Sequence, residues 1–180
     1  MEQKNKNRSP FRVVFVSGLV AGAVYLALEM ILAAMTSPGD MLAPPRMIAG
    51  ILVGNDAPRH SESSVAFVLI SALFVHFTLS VTYTGILFAF VQRIKSKTLV
   101  MLGGIAMGLV LYLINFYAFT EIFFWFESAR NWMSLVGHLV FGFVAGLMIS
   151  RMYTPEPEDT ETVERREEKK TVKEREKELV

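Results

Sequence analysis

The chain has 180 residues, of which 52% are hydrophobic and 19% are charged, and its formal net charge is +1. It contains no cysteine, so disulfides, thiolate metal sites, thiol catalysis and lipid anchors on cysteine are excluded. The basic residues follow the loops between apolar stretches, and they therefore do not indicate a nucleic-acid partner.

Four long apolar stretches dominate the chain. A bilayer core of roughly 30 Å needs about 20 helical residues to cross it. The stretches that meet or nearly meet this length are 13–35, 65–91, 99–119 and 132–150. The sequence therefore predicts an all-α membrane protein. We expect an up-down bundle of four transmembrane helices over 13–153, a cytoplasmic segment 1–12 and a charged cytoplasmic tail 154–180.

The flanking charges predict how the chain is threaded. The first apolar stretch is longer than the core of a cleaved signal peptide, so we expect an uncleaved first helix. Basic residues on the side of the N-terminus are Lys4, Lys6, Arg8, Arg12, Arg93, Lys95, Lys97 and Arg151, whereas the opposite side has Arg46, Arg59 and Arg130. This bias predicts that both termini are cytoplasmic.

The segments outside the membrane spans have distinct characters. Segment 44–54 is an apolar run that is too short to span, and we expect either an interfacial helix that begins near Pro45 or a re-entrant piece. Segment 116–126 is rich in aromatic rings, which prefer the headgroup layer. The tail is almost wholly charged and is expected to be disordered or partly helical, with a docking site for a cytoplasmic partner as the alternative. His60 is expected to be solvated.

The two halves of the transmembrane domain share a pattern of small and polar residues. The first and third helices each have two glycines four residues apart and a polar residue seven positions later: Gly18, Gly22 and Glu29, then Gly104, Gly108 and Asn115. The second and fourth helices each have a histidine followed by small residues: His76, Ser80 and Thr84, then His138, Gly142 and Gly146. The match suggests two pseudo-repeated hairpins, with the glycines as helix-packing positions.

Four polar side chains within the spans are the most informative, namely Glu29, His76, Asn115 and His138. Three interpretations remain open for them. They form interhelical hydrogen bonds, they bind a metal, haem or quinone, or they relay protons or ions in a small oligomeric transporter. A metal site would use His76, His138 and Glu29, and a haem iron would be held by the two histidines.

No phosphate loop, nucleophile elbow or HExxH motif is present, so we do not expect an enzyme. The primary functional prediction is a non-enzymatic accessory or assembly subunit. The alternatives are a redox bundle that uses His76 and His138, and an oligomeric transporter that uses Glu29 with the histidines. The expected partners are the lipid bilayer and either further copies of the chain or a membrane complex. The sequence specifies no cofactor, although haem and a divalent metal are compatible with it.

Five segments carry a resemblance to a known family: PPRMIAGILVG, HFTLSVTYTG, YLINFYAFT, FFWFESARNW and HLVFG. Together they resemble an uncharacterised family of small bacterial four-helix inner-membrane proteins, some members of which carry the label sodium:proline symporter. The resemblance covers about residues 10–150 and leaves out the tail. It implies a bacterial inner-membrane location and brings no catalytic residues.

Overall fold

The protein is an all-α, four-helix membrane bundle, described by a computed structural model over residues 8–36, 41–54 and 64–155. Its α-helices are α1 (Pro10–Thr36), α2 (Ala43–Val53), α3 (Val65–Val91), α4 (Lys97–Leu113) and α5 (Trp132–Met152). A π-helical turn (Ile114–Ala118) and a 3₁₀ turn (Phe119–Glu121) extend α4, and a second 3₁₀ segment (Phe124–Ala129) precedes α5. The four predicted spans correspond to α1, α3, α4 with its extension, and α5.

Side-chain caps fix where three of the helices begin. The hydroxyl of Ser64 accepts the backbone N–H of Phe67, and Ser96 caps α4 in the same way. The Asn131 side chain accepts the N–H groups of two residues in the first turn of α5. These bonds satisfy amides that have no intrahelical partner. Inside an apolar layer such satisfaction matters more than in water.

In the first hairpin, the glycines of α1 contact α3. A Cβ placed on Gly18 would lie 2.7 Å from the Cα of Val81, and one on Gly22 would lie 2.6 Å from the hydroxyl of Ser80. The Gly22 position also approaches the His76 ring, at 3.3 Å. The absence of side chains on α1 therefore allows the two helices to approach closely.

In the second hairpin, the glycines of α4 contact α5 even more closely. A Cβ on Gly104 would overlap the carbonyl oxygen of Gly142 and lie 3.3 Å from the Cα of Gly146, and one on Gly108 would overlap the carbonyl oxygen of His138. The two backbones are in direct contact along this face. Matched positions of the two hairpins thus make matched contacts, as the sequence pattern suggests.

The two hairpins are joined asymmetrically. Helix α1 packs extensively against α5, whereas α3 and α4 touch each other only sparsely. In the pseudo-repeat, α1 corresponds to α4 and α3 corresponds to α5, so the α1–α5 and α3–α4 seams are equivalent. One seam is closed and its counterpart is open.

Segment 44–54 is helical and packs against the bundle as α2. Prolines occupy the first positions of this helix, where a missing N–H is harmless. Ala49 is fully buried and clusters with Val68 and Ala72 on the first two turns of α3. The predictions for Lys4, Lys6, Arg59, His60 and the tail beyond residue 155 concern positions outside the described residues.

Candidate functional site

A cavity of about 280 Å³ lies between α3 and α4, where the seam is open. Its walls come from all five helices and from the turns that follow α4. The lining residues are Tyr25, Ile48, Ile51, His76, Leu79, Ser80, Tyr83, Leu111, Asn115, Phe116, Phe119, Phe123, Phe126, His138 and Phe141. The lining is mostly apolar and aromatic, with a few polar groups, which is the usual character of a small-molecule site.

His138 is almost fully buried and uses both ring nitrogens. Its Nδ1 lies 2.7 Å from the carbonyl oxygen of Ser134, one turn earlier in α5. Its Nε2 lies 3.1 Å from the side-chain nitrogen of Asn115. Asn115 is in the π-helical turn, and π-helical turns often occur at functional sites. The Asn115–His138 pair therefore joins α4 to α5 at the wall of the cavity.

His76 is held by the backbone of α1. Its Nε2 lies 2.8 Å from the carbonyl oxygen of Gly22. The hydroxyl of Ser80 donates to the carbonyl oxygen of His76 at 2.8 Å and lies beside Gly22 as well. The imidazole thus crosses the α1–α3 contact at the point where a glycine leaves room for it.

Tyr25 lies between the two histidines. Its ring stacks on His76 with a centroid distance of 5.5 Å and an interplanar angle of 20°. It meets His138 edge-on, with a centroid distance of 5.0 Å and an angle of 83°. Its hydroxyl is 3.4 Å from His138 Nδ1. The three rings form one packed wall of the cavity.

Glu29 is buried but does not line this cavity. Its carboxylate approaches Gly137 of α5, where any Cβ would overlap Oε1. Oε1 is fully enclosed and has no hydrogen-bond partner in the part of the chain that the structure describes. The four predicted polar residues are therefore divided: His76, Asn115 and His138 line the cavity, and Glu29 lies in the closed seam.

This arrangement corrects the predicted metal and haem sites. Across residues 8–36, 41–54 and 64–155, no three His, Asp or Glu side chains converge to hold a metal ion. His76, His138 and Glu29 therefore do not form the expected triad. The Tyr25 ring occupies the space between the two imidazoles, so they do not face each other across a position for haem iron.

At the end of the bundle where α1 and α4 finish, the cavity is covered by α2 and by the aromatic segment that follows α4. The indole N–H of Trp125 donates to the carbonyl oxygen of Met47 at 3.0 Å, and its ring rests on Gly50. Arg130 donates to the carbonyl oxygen of Phe116 and to the hydroxyl of Thr120, the latter at 2.8 Å. These bonds hold the aromatic segment in place, with Phe123 and Phe126 in the lining of the cavity.

The sequence interpretation missed Tyr25 and the aromatic lining. Tyr25 lies on the same face of α1 as Gly22 and Glu29, three residues after the first and four before the second. This spacing was a usable signal for its orientation toward the bundle. The sequence offers no such signal for Phe116, Phe123 and Phe126, because these residues belong to turns whose path it does not define.

No protein-family model, no curated protein and no solved structure matches this chain. The fold and the site define it as a multi-pass, all-α membrane protein. Its most distinctive feature is a mainly apolar cavity with three polar side chains from the predicted cluster.

Proposed function

We propose that the protein is a non-enzymatic membrane protein that binds a lipid-soluble small molecule in the cavity between α3 and α4. The observation that carries this proposal is the cavity itself. A cavity of about 280 Å³ in a helical bundle leaves its lining side chains without protein packing partners on the side that faces the cavity. An apolar ligand restores those contacts, whereas water gains little from so apolar a surface.

The arrangement of the helices favours a ligand that enters from the bilayer. One end of the cavity is covered by α2 and by the aromatic segment that contains Trp125, whereas the seam between α3 and α4 is sparsely packed. A lipid-soluble molecule in the bilayer core would therefore enter sideways between these two helices. The few polar groups inside would orient it.

The other functional predictions have different degrees of structural support. Quinones remain among the lipid-soluble candidates, because the cavity suits an aromatic molecule with a polar group. A proton or ion relay has less support, since Glu29 is separated from the histidine wall and lies in the closed seam. The role of accessory or assembly subunit stays a prediction and is compatible with a bound lipid-soluble ligand.

The proposed location is the bacterial inner membrane, with both termini in the cytoplasm. The resemblance to a family of small bacterial inner-membrane proteins supports the location. The charges support the threading, because one end of the bundle has more basic residues than the other. The described basic residues at the end with the N-terminus are Arg8, Arg12, Arg93, Lys95, Lys97 and Arg151, and those at the other end are Arg46 and Arg130.

Thermal unfolding in detergent with added naphthalene tests the binding proposal. Ligand that binds only the folded state raises the unfolding midpoint, increasingly so as its concentration exceeds Kd. We expect such a rise in the wild type and its loss in Leu79→Trp, which fills the cavity. Leu73→Trp is the matched control, because Leu73 is on the same helix but is exposed and outside the lining.

Two results would contradict the proposal. The first is a wild-type midpoint that does not respond to naphthalene. The second is an equal response in the Leu79→Trp and Leu73→Trp variants, which would place the effect in the detergent micelle or at the protein surface.

A further inference from the structure

We infer that the cavity selects an aromatic alcohol, of the phenol or quinol class, over ligands of similar shape that lack a hydroxyl hydrogen. This inference rests on the proposed binding function and specifies its ligand. It follows from which polar groups of the cavity wall already have a hydrogen-bond partner within the protein and which do not.

The His138 ring has no free hydrogen-bonding capacity for a ligand. A carbonyl oxygen only accepts, so the short contact with Ser134 places a proton on Nδ1. A charged imidazolium is costly in apolar surroundings, so Nε2 carries a lone pair. The Asn115 group beside Nε2 must then be its NH₂, and the amide orientation follows from this network.

Because the NH₂ group of Asn115 faces His138, its amide oxygen Oδ1 is left without a hydrogen-bond partner among the described residues. This oxygen is not fully enclosed. Asn115 lines the cavity and is only partly buried by its neighbours. Its oxygen is therefore a hydrogen-bond acceptor that is open to a ligand.

His76 offers a second acceptor. The carbonyl oxygen of Gly22 places the proton on Nε2, so the neutral ring has a lone pair on Nδ1. Nδ1 has no partner in the described parts of the chain and is not fully enclosed, and the ring lines the cavity. Stacking against Tyr25 fixes the ring, so this nitrogen cannot easily turn away.

A ligand that fills the cavity must satisfy these two acceptors or leave them unpaired. A hydroxyl group donates to one of them, and its oxygen remains free to accept from the hydroxyl of Tyr25 or Tyr83 or from the second amide hydrogen of Asn115. A carbonyl or ether oxygen only accepts, and a hydrocarbon does neither. Sites built to bind a hydroxyl strongly reject analogues without it, because their polar groups are then buried without a partner.

Three naphthalenes test this selectivity at neutral pH. The probes are naphthalene, 1-naphthol and 1-methoxynaphthalene. Naphthalene is smaller than 1-naphthol and 1-methoxynaphthalene is larger, and neither of them can donate a hydrogen bond. Dissociation constants are obtained from the concentration dependence of the thermal midpoint in detergent. We expect 1-naphthol to bind at least about tenfold more tightly than both counterparts, in keeping with one buried acceptor satisfied.

His76→Gln tests the assignment of the second acceptor. Its amide N–H keeps the donor to the carbonyl oxygen of Gly22, whereas the ring nitrogen Nδ1 is lost and the amide oxygen, an acceptor, lies beside that N–H at a different position. We expect the preference for 1-naphthol to fall severalfold while naphthalene still binds. Thr78→Val is the control, because the Thr78 hydroxyl is exposed on the same helix and bonds to the backbone of its own helix.

The outcomes separate this inference from the function on which it rests. If none of the three probes raises the midpoint, the binding function itself fails. If naphthalene and 1-methoxynaphthalene bind as tightly as 1-naphthol, the function stands and the selectivity is overturned. Loss of the preference in Tyr83→Phe, with its retention in His76→Gln, also overturns it, because the hydroxyl would then be recognised by Tyr83.

Discussion

Adjacent glycines in α4 provide the sharpest test of the packing in the second hairpin. A Cβ on Gly104 would overlap the carbonyl oxygen of Gly142 and lie 3.0 Å from its carbonyl carbon. A Cβ on Gly103 would meet only the side chain of Val91, at 3.4 Å. Alanine at the two positions should therefore have opposite effects on stability.

The expected magnitudes follow from two competing terms. Replacing a helical glycine by alanine gains up to about 1 kcal/mol in backbone propensity. Overpacking typically costs about 1–3 kcal/mol, and here the obstacle is backbone, which cannot move unless the helices separate. We therefore expect Gly104→Ala to lower the free energy of unfolding by about 2 kcal/mol and Gly103→Ala to raise it by up to about 1 kcal/mol.

Reversible unfolding in mixed micelles, followed by circular dichroism as the SDS fraction rises, measures both changes. A difference of about 3 kcal/mol between the variants corresponds to roughly a hundredfold difference in the unfolding constant. Equal stabilities, or a more stable Gly104→Ala protein, would refute the close contact of α4 and α5. Gly54 is unsuitable as a control, since its φ of 94° would strain any side chain.

Three further perturbations test other parts of the molecule. Trp125→Phe removes the indole hydrogen bond to Met47, so we expect the free energy of unfolding to fall by about 1 kcal/mol and amide exchange in α2, measured by mass spectrometry, to become faster. Unchanged exchange would show that this bond does not hold α2 in place. Glu29→Leu removes a buried oxygen that has no partner, so SDS titration should show unchanged stability or a gain of up to about 2 kcal/mol. A clear loss there would mean that the carboxylate has a partner. Because basic residues cluster near the N-terminal end of the bundle, an introduced cysteine at Ser61 should react with an impermeant thiol reagent in intact bacterial cells, and one at Ser96 should not. The reverse labelling would invert the proposed threading.

The spans and the pairing within each hairpin could be predicted from the sequence, because each has a local cause. Apolar length defines a membrane helix regardless of its neighbours. Glycines four residues apart define a face on which another helix can approach, and this applies to Gly18 with Gly22 and to Gly104 with Gly108. Both properties are present in a single stretch of chain.

The direction of the polar side chains could not be predicted in the same way. Glu29 and Asn115 hold equivalent positions in the repeat, yet Asn115 meets His138 and Glu29 approaches Gly137. Which neighbour each one reaches depends on how the hairpins pack together. Tyr25 was missed for a different reason: its spacing from Gly22 and Glu29 indicated the bundle side, but an aromatic residue in an apolar run is also common at lipid-facing positions.

The asymmetry between the two seams has a cause in the sequence. On α5, Gly137 leaves space that Tyr25 and Glu29 of α1 occupy, so α1 and α5 approach closely. The offset that relates His138 to His76 places Val75 at the equivalent position on α3. We expect a β-branched side chain at that position to limit the approach of α4, in agreement with the sparse contact between α3 and α4. The two hairpins thus differ at this position, where one has a glycine and the other a valine, and the cavity lies at the seam that has the valine.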